Sequence, residues 1–154
     1  MNAIIRKAII YDTTSISELN KKCLPIYYSY VEYLLLITSP TYLVLVAEIN
    51  NEIIGYMVGE FHSSNKNFHI LSIGVDDKVR SKGIGTYLIN KLIIDIKEKK
   101  YDNITLFVHD ENEKAIKFYI KNDFVKIEHL PNYYEGSLKA KSQGAVKMRK
   151  LFTI

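Results

Sequence analysis

The chain has 154 residues, 47% of them hydrophobic and 25% charged, with seven Gly, three Pro and one Cys. That length fits one domain of roughly 100–200 residues, and the composition excludes disordered, collagen-like and disulfide-scaffold proteins. The formal charge of +4, from 21 Lys+Arg against 17 Asp+Glu, is too mild and too scattered to specify nucleic acid. Cys23 alone can make neither an internal disulfide nor a thiolate metal site, so a reduced, cytoplasmic protein is expected. The N-terminal apolar run is too short for a signal peptide, and the longest apolar runs are strand-sized, far below the roughly 20 residues that cross a bilayer. No repeat, low-complexity tract or linker divides residues 1–154, which are expected to form a single domain.

Ile4 to Ile10 reads as a first strand. Ser15 and Glu18 match a capping box, predicting a helix from there to about Cys23, before Pro25. Tyr27 to Ile37 predicts a second short helix, ended before Ser39-Pro40. Tyr42–Ile49 and Ile53–Phe61 are strands joined by Asn50-Asn51, a hairpin signal, and Phe68–Val75 is another strand. At Gly83 the period changes. Ile84, Leu88, Leu92 and Ile96 recur every four residues, predicting an amphipathic helix to about Lys99. Ile104–Val108 is a strand, Asn112 caps a helix carrying Ala115, Ile116 and Tyr119, and Phe124–Leu130 and Ala145–Leu151 are strands flanking a loop from Pro131 to Gln143. Hairpin-joined strands followed by β-α-β crossovers imply a mixed α/β sheet with helices on both faces.

The chemistry concentrates at Arg80-Ser81-Lys82-Gly83-Ile84-Gly85-Thr86. A strand ends, a polar loop follows, and a helix starts at two glycines. Free N–H groups and the helix dipole make such a start an anion site. Gly83 and Gly85 let backbone approach a phosphate, and Arg80 and Lys82 add charge. Gly-x-Gly alone fits a plain strand-to-helix turn equally well. A P-loop lacks its Gly-Lys-Ser/Thr here, and a dinucleotide fingerprint lacks its third Gly at Leu88, which disfavours kinases, NTPases and dehydrogenases.

Arg80-x-x-Gly83-x-Gly85 resembles the pyrophosphate-binding signature of the GNAT acetyltransferase superfamily. Asn112 with Ala115-Ile116-Lys117-Phe118-Tyr119 and Asn122-Asp123-Phe124 resembles its second motif, 27 residues on from Gly85. The resemblance covers essentially the whole chain. It implies the GNAT fold, a seven-stranded, mostly antiparallel mixed sheet flanked by about four helices. It also implies acetyl-CoA as co-substrate with no metal, held by Ile73, Val75, Arg80, Ser81, Lys82, Gly83, Ile84, Gly85, Thr86, Asn112, Ala115 and Tyr119. Asn20 with Leu24-Pro25-Ile26-Tyr27-Tyr28, and Asn132-Tyr133-Tyr134 before Gly144-Ala145-Val146-Lys147-Met148, resemble the two substrate loops of protein N-terminal acetyltransferases. RimI-like enzymes and the NatA and NatE catalytic subunits share those loops. Ile26 stands where the NatA type carries glutamate, so NatE is the nearer match. It implies transfer to the α-amino group of a protein N-terminus, Met followed by an apolar residue, with Leu24, Pro25, Ile26, Tyr28, Leu71, Tyr133 and Tyr134 lining the acceptor slot. An auxiliary subunit or the ribosome is an implied partner.

Catalysis departs from the family. Its tyrosine on the strand before the first motif is His69 here, and its histidine on the following strand falls at Phe107. Thioester-to-amine transfer needs a proton acceptor, an oxyanion donor and protonation of sulfur. Tyr119 is the expected acid and His69 the expected base, with a backbone N–H near Val75 for the oxyanion. Strand alternation would place His69, Leu71 and Ile73 on one face. His109, one pleat beyond Phe107, is a second candidate base. Glu60 reads as solvated or ion-paired. His62 and His129 have no partner spacing and read as surface residues, and nothing reads as a metal site. Two alternatives stay open: a GNAT enzyme for a small amine or lysine side chain, and a non-catalytic acyl-CoA-binding protein.

Overall fold

The hydrophobic periods resolve into strands and helices whose order alternates as the sequence suggests. A computed structural model describes residues 2–154. In chain order they are β1 (Ile4–Lys7), α1 (Thr13–Cys23), α2 (Tyr30–Thr38), β2 (Tyr42–Ile49), β3 (Glu52–His62), β4 (Asn67–Val75), α3 (Ile84–Glu98), β5 (Asn103–His109), α4 (Glu113–Lys121), β6 (Val125–Leu130) and β7 (Ala145–Leu151). One sheet runs β1-β2-β3-β4-β5-β7-β6. Its neighbours are antiparallel except β4 and β5. No helix among the described residues is long and apolar enough to cross a membrane.

Three local readings differ from the sequence expectation. The first strand ends at Lys7, and Ile10–Asp12 forms a 3-10 turn. Arg6 grips the Asp12 carboxylate through Nη1 and Nη2 (2.7 and 3.0 Å) while Ile9 N donates to it (2.8 Å), which curls the chain off the sheet. The helix therefore starts at Thr13, which places the Ser15–Glu18 pair within its first turns rather than at its cap. The capping box lies at α2 instead. Glu32 N donates to Ser29 Oγ and Ser29 N donates to Glu32 Oε1, both at 3.2 Å, so this helix begins at Tyr30 rather than Tyr27. Asn50 and Asn51 both take positive φ (51° and 64°), the geometry of a two-residue turn that suits twisted strands.

The third difference shapes the site. Val58 faces Ser72 and Gly59 faces Ile70, so Leu71 is an extra residue in β4, a bulge. One inserted residue inverts the pleat beyond it. His69 and Leu71 therefore do not share a face with Ile73. Ile73 packs with Phe68, Ile70 and Met57 against α3 and α4, whereas Leu71 packs toward α1 and α2 with Tyr56 and Val58.

The sheet thus separates two cores. Ile84, Leu88, Leu92 and Ile96 of α3, with Ile116 and Tyr119 of α4, cover one face. Ile16 and Leu19 of α1, with Tyr33 and Leu36 of α2, cover the other. The parallel β4–β5 ladder lasts only from Asn67↔Asn103 to Ile70↔Leu106. Beyond it, Leu71–Val75 and Phe107–His109 no longer pair, which leaves a gap in the middle of the sheet.

Candidate active site

The gap is bounded on the first face by the start of α3. Gly83, its N-cap, has φ +84°, a left-handed conformation that costs an L side chain about 1–2 kcal/mol. Tyr87 N donates back to Gly83 O (3.0 Å), and the N–H groups of the preceding turn have no helical partner. A Cβ on Gly85 would sit 2.7 Å from Phe118 Cζ, so that glycine also admits α4 against α3. Ser81 adds a second left-handed residue (φ 64°) just before it. Lys82 and Ser81 are exposed. Arg80 is folded back: its Nε donates to Val75 O (2.9 Å) and its Nη1 pairs with Asp77 (2.6 Å). The Val75 carbonyl also accepts from Cys23 Sγ (3.5 Å). Asp76 caps the turn, and Lys78 N and Lys22 hold its carboxyl below the usual range.

Asn112 caps α4 as expected, its Oδ1 accepting from Ala115 N (3.1 Å). That cap orients Tyr119, which is only 8% exposed and packs its ring edge-to-face on Phe118 (5.3 Å) and Phe124 (5.6 Å). No described residue hydrogen-bonds its hydroxyl. Burial first, then the neighbouring Tyr134, pushes the phenol above its ordinary value and keeps it protonated. Tyr134 belongs to the opposite side of the sheet, so the two sides meet at Tyr119.

On that opposite side His69 is half-buried between His62 (6.1 Å, stacked) and Phe107 (5.0 Å). Asn67 Nδ2 donates to Thr105 Oγ1 (2.9 Å), and Thr105 Oγ1 lies 2.7 Å from His69 Nδ1. The Thr105 proton is thereby directed to Nδ1, an assignment by network that places the ring proton on Nε2. Burial lowers the imidazole pKa to about 4, with His62 and Lys147 adding repulsion, so His69 is neutral at pH 7. Glu60 pairs with His62 (3.3 Å). His62 and His129 lie at the surface, each beside a carboxylate: His129 Nε2 donates to Asp110 Oδ2 (2.9 Å).

Phe107 stacks on Tyr133 at 4.4 Å, and Tyr133 meets Tyr134 edge-to-face at 4.9 Å. These tyrosines are held by a clamp on Ser142. His109 Nε2 donates to its carbonyl (2.8 Å), its Oγ donates to Asp110 Oδ2 (2.8 Å) and its N–H donates to Glu111 Oε1 (2.9 Å). His109, Asp110 and Glu111 form the one grouping of possible metal donors among the described residues, and it is this clamp. The structure thus brings Tyr119, His69, Phe107, Tyr133 and Tyr134 to the gap, and commits His109 Nε2 to the loop. Across the gap, the loop after α1 presents Ile26 half-exposed and Tyr28 half-buried, Tyr28 packed edge-to-face on Tyr33 (5.7 Å).

The sequence reading gave Asn20 only as part of the substrate-loop resemblance, with no role of its own, and passed over the Ser142 clamp. Asn20 carried a signal: it lies four residues after Ile16 on the apolar stripe of α1, where a carboxamide needs buried partners. The clamp is made by residues 31 to 33 positions apart, which no local pattern announces.

The acetyltransferase (GNAT) family matches residues 13–124. An N-alpha-acetyltransferase of Sulfurisphaera tokodaii is 32% identical over 144 residues, covering 84% of each chain. N-alpha-acetyltransferase 30 of Xenopus laevis is 32% identical over 116 residues, 73% of this chain, which spans only 42% of that relative's length. A solved acetyltransferase structure from Bacillus anthracis str. Ames, in complex with acetyl coenzyme A, superposes with a TM-score of 0.81 at 25% identity, covering 98% of this chain and all of the other. The strand and helix order, the glycine-started helix at the sheet gap and these matches agree: the chain belongs to the GNAT acetyltransferase family.

Proposed function

We propose that this protein, acting as one catalytic domain over residues 1–154, transfers the acetyl group of acetyl-CoA to the α-amino group of protein N-termini, preferentially Met followed by an apolar residue. The observation that carries this reading is the gap between β4 and β5, open to an anion-binding helix start on one face and to two tyrosine-bearing loops on the other. Pyrophosphate lies on the Gly83–Thr86 turn, with Lys82 nearby, and the arm of the donor passes between Ile73, Val75 and Ala115. The apolar side chain of the acceptor's first residue enters between Leu24, Pro25, Ile26 and Leu71. Tyr28, Tyr133 and Tyr134 bind its backbone.

The neutral amine attacks the thioester carbonyl, and a backbone N–H near Val75 receives the oxyanion. Nitrogen becomes acidic as the C–N bond forms, so a weak base serves; its proton leaves through water toward His69. The C–S bond breaks and Tyr119 protonates sulfur, its raised pKa keeping the proton available. The cytoplasm, where nascent chains emerge, is the matching compartment, with a ribosome or an auxiliary subunit as partner. A pull-down with Met-Leu nascent chains tests that association.

Mass spectrometry with acetyl-CoA and three peptides checks the acceptor. Acetylation strongest on Met-Leu termini and absent from an N-terminally blocked lysine peptide is the expected result. Product on the lysine peptide alone assigns a side-chain enzyme, and acetyl-CoA binding without product on any peptide favours a small-amine or non-catalytic role.

The pH dependence separates amine from histidine. His69, at about 4, stays in one charge state above pH 5. The rate should therefore follow deprotonation of the acceptor amine, near pH 7.7–8.0 for an α-amino group. Below that value kcat/KM falls about tenfold per pH unit as the ammonium form takes over. A limb centred at pH 6.5 instead would mean that His69 titrates as a solvated imidazole.

A further inference from the structure

Asn20 is fully buried near the end of α1, yet both ends of its carboxamide are engaged. Oδ1 accepts from the backbone N–H of Tyr28 (3.1 Å) and from Tyr33 Oη (2.8 Å), and Nδ2 reaches Ser72 Oγ (3.5 Å). Ser72 Oγ in turn shares a proton with Tyr56 Oη at 2.8 Å. One side chain thereby joins α1, the loop that follows it, α2 and β4. Ser72 is the residue immediately after the Leu71 bulge, at the edge of the gap.

Stability alone does not select such a group. Replacing a buried polar set by apolar groups of the same shape can be nearly neutral, and the surrounding stripe of Ile16, Leu19, Tyr33 and Val58 is already apolar. What the carboxamide adds is register: the backbone at Tyr28 is tied to the strand lining the donor gap. None of its hydrogen-bond partners lies on α3 or α4, the side that holds the donor.

We propose that Asn20 is a positioning residue for the acceptor, fixing the Leu24–Tyr28 loop against the bulge of β4 so that the amine meets the thioester. This rests on the N-terminal acceptor reading above. Kinetics and amide exchange of Asn20→Ala and Tyr33→Phe test it. Tyr33→Phe keeps the ring and its edge-to-face contacts with Tyr28 and Tyr56 and removes only the hydroxyl, so it decides the matter if Asn20→Ala fails to fold. Losing a buried bond of about 1–2 kcal/mol corresponds to roughly 5- to 30-fold. Asn20→Ala should raise the KM for a Met-Leu peptide about tenfold and speed exchange of the Tyr28 amide, while the KM for acetyl-CoA stays within about twofold. Tyr33→Phe should move the same quantities in the same direction, less far. Variants that melt earlier but keep the peptide KM and Tyr28 exchange overturn the proposal, as does an equal rise in both KM values. Wild-type protein that acetylates no N-terminal peptide overturns the acceptor reading itself, a separate result.

Discussion

Tyr119→Phe lowers kcat about 10²- to 10³-fold with little change in the KM for acetyl-CoA, the loss expected when one general acid is removed. The ring is part of the core, wedged between Phe118 and Phe124, and phenylalanine preserves those contacts. The hydroxyl bonds to no described residue, so its removal leaves no buried partner unsatisfied and the melting temperature should hold. Its proton stays in place because burial holds the phenol above its ordinary value. The same dry surroundings raise the thiol's affinity for a proton, so transfer from Tyr119 to sulfur becomes better matched than it is in water. Steady-state kinetics on a Met-Leu peptide with a thermal melt checks both halves. A variant with wild-type kcat would remove Tyr119 from the reaction.

Gly59→Ala destabilises the fold by about 3 kcal/mol, the upper part of the range for overpacking a filled core. A Cβ at Gly59 would lie 2.2 Å from Phe68 Cε1 and 2.8 Å from the His69 carbonyl oxygen. The Phe68 ring is fully buried and braced by Phe61 at 5.0 Å, so it has nowhere to turn. The carbonyl is backbone and cannot rotate away. For a chain of this size the midpoint should drop by roughly 6–12 °C. The push falls on His69 and on the strand carrying the bulge, so peptide turnover should fall more than acetyl-CoA binding. Calorimetry and calorimetric titration of acetyl-CoA measure the two effects separately, and an unchanged midpoint would show that β3 and β4 can slide apart there.

What could be read in advance was local. The four-residue period of Ile84, Leu88, Leu92 and Ile96, the Asn112 cap and the Asn50-Asn51 turn each involve residues within one element or turn, and the structure places all three as expected. The two motifs that carry the family resemblance are local in the same sense. What escaped was pairing. The Leu71 bulge exists only because Val58 and Gly59 skip it across the ladder, so the face of Ile73 could not follow from alternation in β4 alone. The Ser15–Glu18 box lost to a competitor outside its window, the Arg6–Asp12 pair. His69 stood out by residue type, but its neutral state depends on burial and on His62 and Lys147, which come from two other strands.

The separation of β4 from β5 leaves this sheet with strand edges at its centre as well as at its sides. Exposed edges invite another extended chain to pair, and proteins blunt them with charge, bulges or cover. All three devices recur here: Arg80 occupies the terminal carbonyl of Val75, Leu71 kinks the strand, and the clamped tyrosine loop lies across Phe107. Mutations that loosen Arg80 or Ser142 should therefore make the protein self-associate through this gap, and saturating acetyl-CoA should suppress that aggregation if it fills the opening.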